Sequence, residues 1–334
     1  MEAACHNLIG ETPRSFRSLQ TLMNHSTHST KWPYAGLIIG IVCIAWSAIF
    51  VRWTSISGPA SAFYRLLIPA IVLLPTFLWP GQRQKLSRRS YFIIAIGGFF
   101  FALDLAFYNT SILKTNAANA TLLGNNTPIV VGLLTWLVFR RKPSLSFWIG
   151  LTLAILGSLL IVSADLAKHV KFGLGDIMAL AAAACFAVYL MATEEIRAHT
   201  TTLEFLRLAI LSSTLFMFLI ALALRVPFEI PDRRTFLALL GLGLISQLGG
   251  YLALTYALGH LPATVTSVSL LSQGPLTAVL AALLLGEPLT IYQIAGGSLV
   301  LVGVGLANRL GGPGEETQAA YKKTADAPVS ETSV

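Results

Sequence analysis

The 334 residues are 55% apolar and only 11% charged, against roughly 25% charged in an ordinary soluble domain, and this excludes a soluble enzyme. The formal net charge of +8 does not point to nucleic acid, because the Lys and Arg stand in short clusters between apolar runs rather than along one helix face. Cys5, Cys43 and Cys185 are far apart in the chain, so neither a disulfide framework nor a metal site is expected, and no cofactor.

Residues 1–33 form a polar tail without the pattern of a cleavable signal peptide, and Met23 is an alternative start to Met1. His25 and His28 read as solvated tail residues rather than metal ligands. A membrane span needs about 20 apolar residues. Ten segments meet that length, near 34–52, 59–80, 91–112, 117–139, 146–164, 175–193, 205–224, 236–258, 263–285 and 290–308. The fold class is therefore an all-α integral membrane protein with about ten transmembrane helices. The polar stretch 311–334 has too little apolar surface to order itself.

Loop charge sets the orientation. With both termini in the cytoplasm, the inner loops hold clusters such as Arg83, Lys85, Arg88 and Arg89, and Arg140, Arg141 and Lys142. The outer loops hold about half as many cations, among them Arg52, Lys114, Lys168, Lys171 and Arg225. A bacterial inner (plasma) membrane is the expected location.

The two halves of the chain resemble each other. Phe63-x-Arg65-Leu66 is echoed by Phe205-x-Arg207-Leu208, Tyr108 precedes Leu122-Leu123 as Tyr256 precedes Leu270-Leu271, Pro128 answers Pro275, and Gly150 and Gly157 answer Gly296 and Gly303. A five-helix unit repeated once enters the membrane from opposite sides, so the repeats 34–164 and 172–308 should be inverted. Pro128 and Pro275, beside amide or small residues, mark expected helix kinks.

The stretch Gly58-Pro59-Ala60-Ser61-Ala62-Phe63-Tyr64-Arg65-Leu66-Leu67, the run Leu270-Leu271-Ser272-Gln273-Gly274-Pro275 and its ending Leu285-Gly286-Glu287-Pro288-Leu289 resemble the EamA-type transporters of the drug/metabolite transporter superfamily. The likeness covers roughly 34–308. It implies a ten-helix inverted-repeat fold whose central cavity is lined mainly by the first, third, fourth, sixth, eighth and ninth helices. It also implies carriage of amino acids, nucleobases, sugars or other metabolites, often outward. The chain departs from the family at Arg140-Arg141, where the first repeat often carries a Gly-Glu like Gly286-Glu287; the arginines read as a topology signal.

Charge within a span is costly, roughly 2.5 to 3.5 kcal/mol near its centre, and usually faces a bundle interior or water. Arg65 and Asp104 should lie at matched depth on neighbouring antiparallel helices, where an ion pair would either staple the two helices or serve substrate and proton. Asp104 is then the candidate proton carrier. Arg207, near the inner end of its helix, is expected to snorkel, with Glu204 one turn away. Polar faces run through Asn119 and Asn126 on the fourth helix, Gln247 and Tyr251 on the eighth, and Gln273 on the ninth. Trp46, Phe50, Tyr108, Tyr189 and Tyr256 complete a candidate pathway for a planar or amphipathic solute.

The leading function is a transporter, most simply an exporter, of an amino-acid-like or amphipathic drug-like metabolite, with the bilayer and protons as further partners. A nucleotide-sugar or phosphate-ester carrier is the alternative, although it should show several cations deep in the bundle. An intramembrane enzyme lacks a nucleophile and base or a metal set within the spans, and a membrane sensor lacks an attached signalling domain. Oligomeric state is not legible.

Overall fold

The computed structural model describes residues 31–78, 86–114, 123–138, 140, 142–166, 173–286 and 289–310. Among the described residues the chain is helical, without strands. In chain order the helices are α1 (Lys31–Trp53), α2 (Gly58–Leu73, continued by a tighter turn, Leu74–Leu78), α3 (Arg88–Lys114), α4 (Thr127–Leu137), α5 (Leu145–Leu166), α6 (Leu174–Arg197) and α7 (Thr202–Ala223). Then follow α8 (Arg233–Leu258), α9 (Ala263–Leu270 and Gln273–Leu285) and α10 (Ile291–Leu310). Eight of these are long and apolar enough to cross a membrane, and the described parts of α4 and α5 are shorter apolar helices. The expected tails, 1–33 apart from its last three residues and 311–334, lie outside the described residues, as do Asn119, Glu287 and His25 with His28.

Local chemistry sets the helix ends. Ser57 caps α2, its Oγ accepting from the Ala60 N–H at 3.4 Å, and Pro59 follows in the first turn, where its missing N–H leaves nothing unpaired. At the other end Pro75 cannot donate, and the helix tightens into the turn Leu74–Leu78. Asp232 caps α8, with the Thr235 N–H at 2.7 Å from Oδ1 and the Thr235 hydroxyl at 3.0 Å from Oδ2. Gly286 closes α9 in the left-handed conformation, φ 70°, which glycine adopts without steric cost.

Two helices depart from regular geometry. In α8, Leu242–Gly249 is wound as a π-helix, a wide winding that commonly marks functional sites. In α9, the helix stops at Leu270 and restarts at Gln273. Pro275 sits in the first turn of the restarted piece, and Pro128 sits in the first turn of α4 behind the turn at Asn125 and Asn126. Each proline thus opens a helical segment, rather than kinking a continuous one, because there its missing donor costs nothing.

The bundle is knit by close helix contacts: α5 against α10, α3 against α6 and α7, α1 against α8, and α2 against α7 and α8. Glycine permits the closest of them. A Cβ on Gly150 would stand 2.5 Å from the Gly303 carbonyl oxygen, and one on Gly157 would stand 2.5 Å from that of Gly296. The order of these pairs makes α5 and α10 antiparallel.

Candidate functional site

Arg65 lies half-buried on α2, and its Nε donates to Oε1 of Gln247 at 2.7 Å. Gln247 is 1% exposed and belongs to the π-wound part of α8. The guanidinium carbon also stands 5.8 Å from the centre of the Tyr251 ring, one helical turn further along α8, within the range of a cation–π contact. Amide and ring together fix the guanidinium.

The expected ion pair between Arg65 and Asp104 is not formed. Among the described residues neither an ion pair nor a hydrogen bond engages the Asp104 carboxylate, which is half-buried on α3. Arg65, Tyr251 and Cys185 share its electrostatic neighbourhood. Position along each helix can be read from the sequence, but whether two side chains meet depends on how each helix is rotated, and Gln247 on a third helix takes the Arg65 Nε.

Three residues before Asp104, on the same face of α3, Phe101 organises an aromatic stack. Its ring lies 4.5 Å from Tyr189 and 5.0 Å from Tyr251, with Phe186 6.0 Å from Tyr189. Tyr189 and Tyr251 are nearly fully buried. The sequence reading missed Phe101 and Phe186. The i, i+3 spacing of Phe101 to Asp104 and of Phe186 to Tyr189 was the available signal.

The remaining predicted residues divide. Trp46 and Phe50 stack at 5.8 Å beside Tyr64 and Ile68 of α2, and Phe50 is packed against Gly241 of α8. Tyr108 packs against Gly124, ahead of α4. Asn126 donates to the Leu123 carbonyl within its own turn at 3.0 Å, and Gln273 is half-buried at the restart of α9. Tyr256 stands apart: it packs against Gly36 of α1 and against the His260 ring, near the end of α8 and beyond Tyr251. An inverted relation would send Tyr108 and Tyr256 to opposite ends of the bundle, so matched positions in the two halves need not share a site.

Arg207 does not snorkel. It is 2% exposed, paired with Glu204, donates from Nη1 to the Thr76 carbonyl at 3.1 Å and lies over the Phe77 ring. Helix α7 begins at Thr202, earlier than expected, and this brings Glu204 into its first turn. The same position relative to Arg65 is Ala62. The second-half arginine therefore has a carboxylate partner on its own helix, with Thr76 and Phe77 at the end of α2 as further contacts, whereas the first-half arginine has no acid one turn before it and is held by Gln247 and Tyr251 of α8. At the end of α6 the buried Arg197 donates from Nε to the Thr255 carbonyl at 3.1 Å, and Glu194 accepts from the Ala263 N–H at 2.9 Å. Hydropathy had ended this helix before both residues.

Among the described residues, a bundle of apolar helices thus holds a carboxylate without a polar partner and a braced guanidinium within its spans, where charge usually faces the bundle interior or water. The chain belongs to the EamA-like transporter family, whose model matches residues 31–163 and again 173–309. It is 28% identical over 249 residues to the uncharacterized transporter YwfM of Bacillus subtilis, across 72% of this chain and 81% of that one. It is 26% identical over 245 residues to a protein of Streptantibioticus cattleyicolor named as a probable terminal-alkyne amino-acid exporter, across 73% and 82% of the two chains. A solved crystal structure superimposes with a TM-score of 0.71 at 17% identity, covering 85% of this chain and 99% of that one.

Proposed function

We propose that this transporter carries a small amino-acid-like or amphipathic drug-like metabolite outward across a bacterial plasma membrane by alternating access, using Asp104 as a proton-exchanging group. The observation that carries this reading is the Asp104 carboxylate, which among the described residues has no hydrogen bond or ion pair and lies one turn along α3 from Phe101 of the Phe101–Tyr189–Tyr251 stack, whose Tyr251 ring faces the braced Arg65. A carboxylate without a fixed partner can take up and release a proton during a cycle. Arg65, Tyr251 and Cys185 are the titratable groups that bear on it. The relative named as an amino-acid exporter favours this substrate class over phosphate esters. So do the engaged states of Arg197 and Arg207, which leave Arg65 as the cation beside the stack.

The architecture we infer is ten spans in two inverted five-helix repeats, 34–164 and 172–308, with both termini cytoplasmic. Its support is the double match of the family model, the antiparallel Gly150–Gly303 and Gly157–Gly296 contacts, and helix neighbours that exchange under the repeat, α1 with α8 for α6 with α3. Cysteine-accessibility labelling should place Lys142 and Glu287 on opposite sides; one shared side would remove the inversion. For function, the purified chain in proteoliposomes should move radiolabelled aliphatic amino acids against their gradient when a proton gradient is imposed. Absence of flux for every solute of a metabolite library would overturn the transport assignment to this chemistry.

A further inference from the structure

Resting on the reading of an amino-acid-like substrate, we infer that Arg65 and Asp104 form a two-point site for a zwitterion, Arg65 taking the carboxylate and Asp104 the ammonium, with Gln247 as the residue that positions Arg65.

The guanidinium has five N–H donors in a planar fork. Gln247 occupies the Nε edge, and the Tyr251 ring lies by its face. Among the described residues no hydrogen bond engages Nη1 or Nη2, the edge suited to a carboxylate. Asp104 is likewise without a hydrogen bond or ion pair there, and half-buried. Arg65 faces the Tyr251 ring, Tyr251 packs on Phe101, and Asp104 follows Phe101 by one turn of α3, so two opposite charges lie around one pair of rings without an ion pair among the described residues, an arrangement that is costly in a low-dielectric interior. A ligand bearing an ammonium and a carboxylate on one carbon can offer a partner to each of them and adds no net charge. A simple anion leaves Asp104 uncompensated, and a simple cation leaves Arg65 so. The Phe101, Tyr189 and Tyr251 rings next to the pair suit an apolar side chain on that ligand.

Gln247 is placed by the π-winding of α8, whose run Gly241-Leu242-Gly243-Leu244-Ile245-Ser246-Gln247-Leu248-Gly249-Gly250 carries four glycines. Gly243 lets this segment lie on Ile68 of α2, one turn from Arg65. An amide rather than a carboxylate at this position holds the guanidinium without neutralising it, which keeps its charge available to a ligand.

The test uses three probes of one shape: L-norleucine, its methyl ester (a cation) and N-acetyl-L-norleucine (an anion). Binding to the purified full chain is followed by thermal shift against ligand concentration. The wild type should bind norleucine about tenfold or more tightly than either derivative, since a charge-assisted bond is lost with each. Asp104→Asn should reverse the order, so that the N-acetyl anion binds best. Gln247→Glu, which supplies Arg65 with its own carboxylate, should lose the anion and norleucine while retaining the ester. A purely structural role for these residues would weaken all three probes together. An unchanged order in Asp104→Asn, retention of the anion by Gln247→Glu, or no binding of norleucine by the wild type would each overturn the proposal. Proteoliposome flux of uncharged solutes by the wild type, without norleucine flux, would overturn the zwitterion site and leave the transport reading intact.

Discussion

Arg140 holds the left-handed backbone conformation, φ 54°, that Gly286 holds at φ 70°. The two positions are equivalent when the halves are aligned on their glycine pairs, Gly150 with Gly296 and Gly157 with Gly303. In the second half glycine adopts this conformation freely. In the first half an arginine does so against the crowding of its Cβ, a cost of roughly 1 kcal/mol. The charge at the end of α4 is thus retained at some expense in backbone energy, as a topology signal would require. Arg140→Gly should stabilise the protein by about 0.5 to 1 kcal/mol, whereas Gly286→Ala should destabilise it. Thermal unfolding in one detergent checks both, and a destabilised Arg140→Gly would show that the side chain holds the loop.

The α5–α10 seam is made of backbone in contact with backbone. Gly157→Ala or Gly296→Ala puts a methyl 2.5 Å from a carbonyl oxygen on the partner helix, and the helices must part. The expected loss is about 1 to 3 kcal/mol for each. Gly305, where an added Cβ meets nothing within 4 Å, is the control, and Gly305→Ala should be neutral or slightly stabilising by the same unfolding assay.

Glu204 and Arg207 are both buried. Arg207→Ala leaves a carboxylate without its partner, so a loss of about 3 to 5 kcal/mol is expected. Glu204→Leu combined with Arg207→Met removes both charges and should cost much less than either single change. Additive losses in that double-mutant cycle would show that the pair is not energetically coupled.

Asp104→Asn should abolish uphill flux driven by a proton gradient while leaving slow substrate exchange across the membrane at raised concentration, because the amide cannot carry a proton. Unchanged pH-driven accumulation by this variant would demote Asp104 to a structural residue and favour a facilitative or differently coupled carrier.

At the start of α8, Asp232 titrates below the ordinary carboxylate range, chiefly because the Thr235 backbone N–H donates to its charged form. A lowered folded value means that its capping contribution is complete above the unfolded aspartate pKa and is lost as pH falls through the lower folded one. Amide exchange in the first turn of α8, corrected for intrinsic rates, should therefore stay slow at neutral pH and rise only in strong acid. In Asp232→Ala it should be fast throughout.

Hydropathy alone determined that this chain spans a membrane, since a run of about 20 apolar residues has few other stable destinations. It also located most helices, although α6 runs on to Arg197 and α7 starts at Thr202, because charged residues at helix ends weaken an apolar signal. Gly150, Gly157, Gly296 and Gly303 stand out in the sequence, and they are the residues at the α5–α10 contact, where close backbone approach leaves no alternative residue. The partners of the charges were decided by tertiary structure. Arg65 is served by Gln247, 182 positions away, and Arg207 by the neighbouring Glu204 and by the Thr76 carbonyl of α2. Side-chain partnership depends on each helix's rotation and neighbours, and on the π-winding that sets Gln247, none of which a period of 3.6 residues encodes.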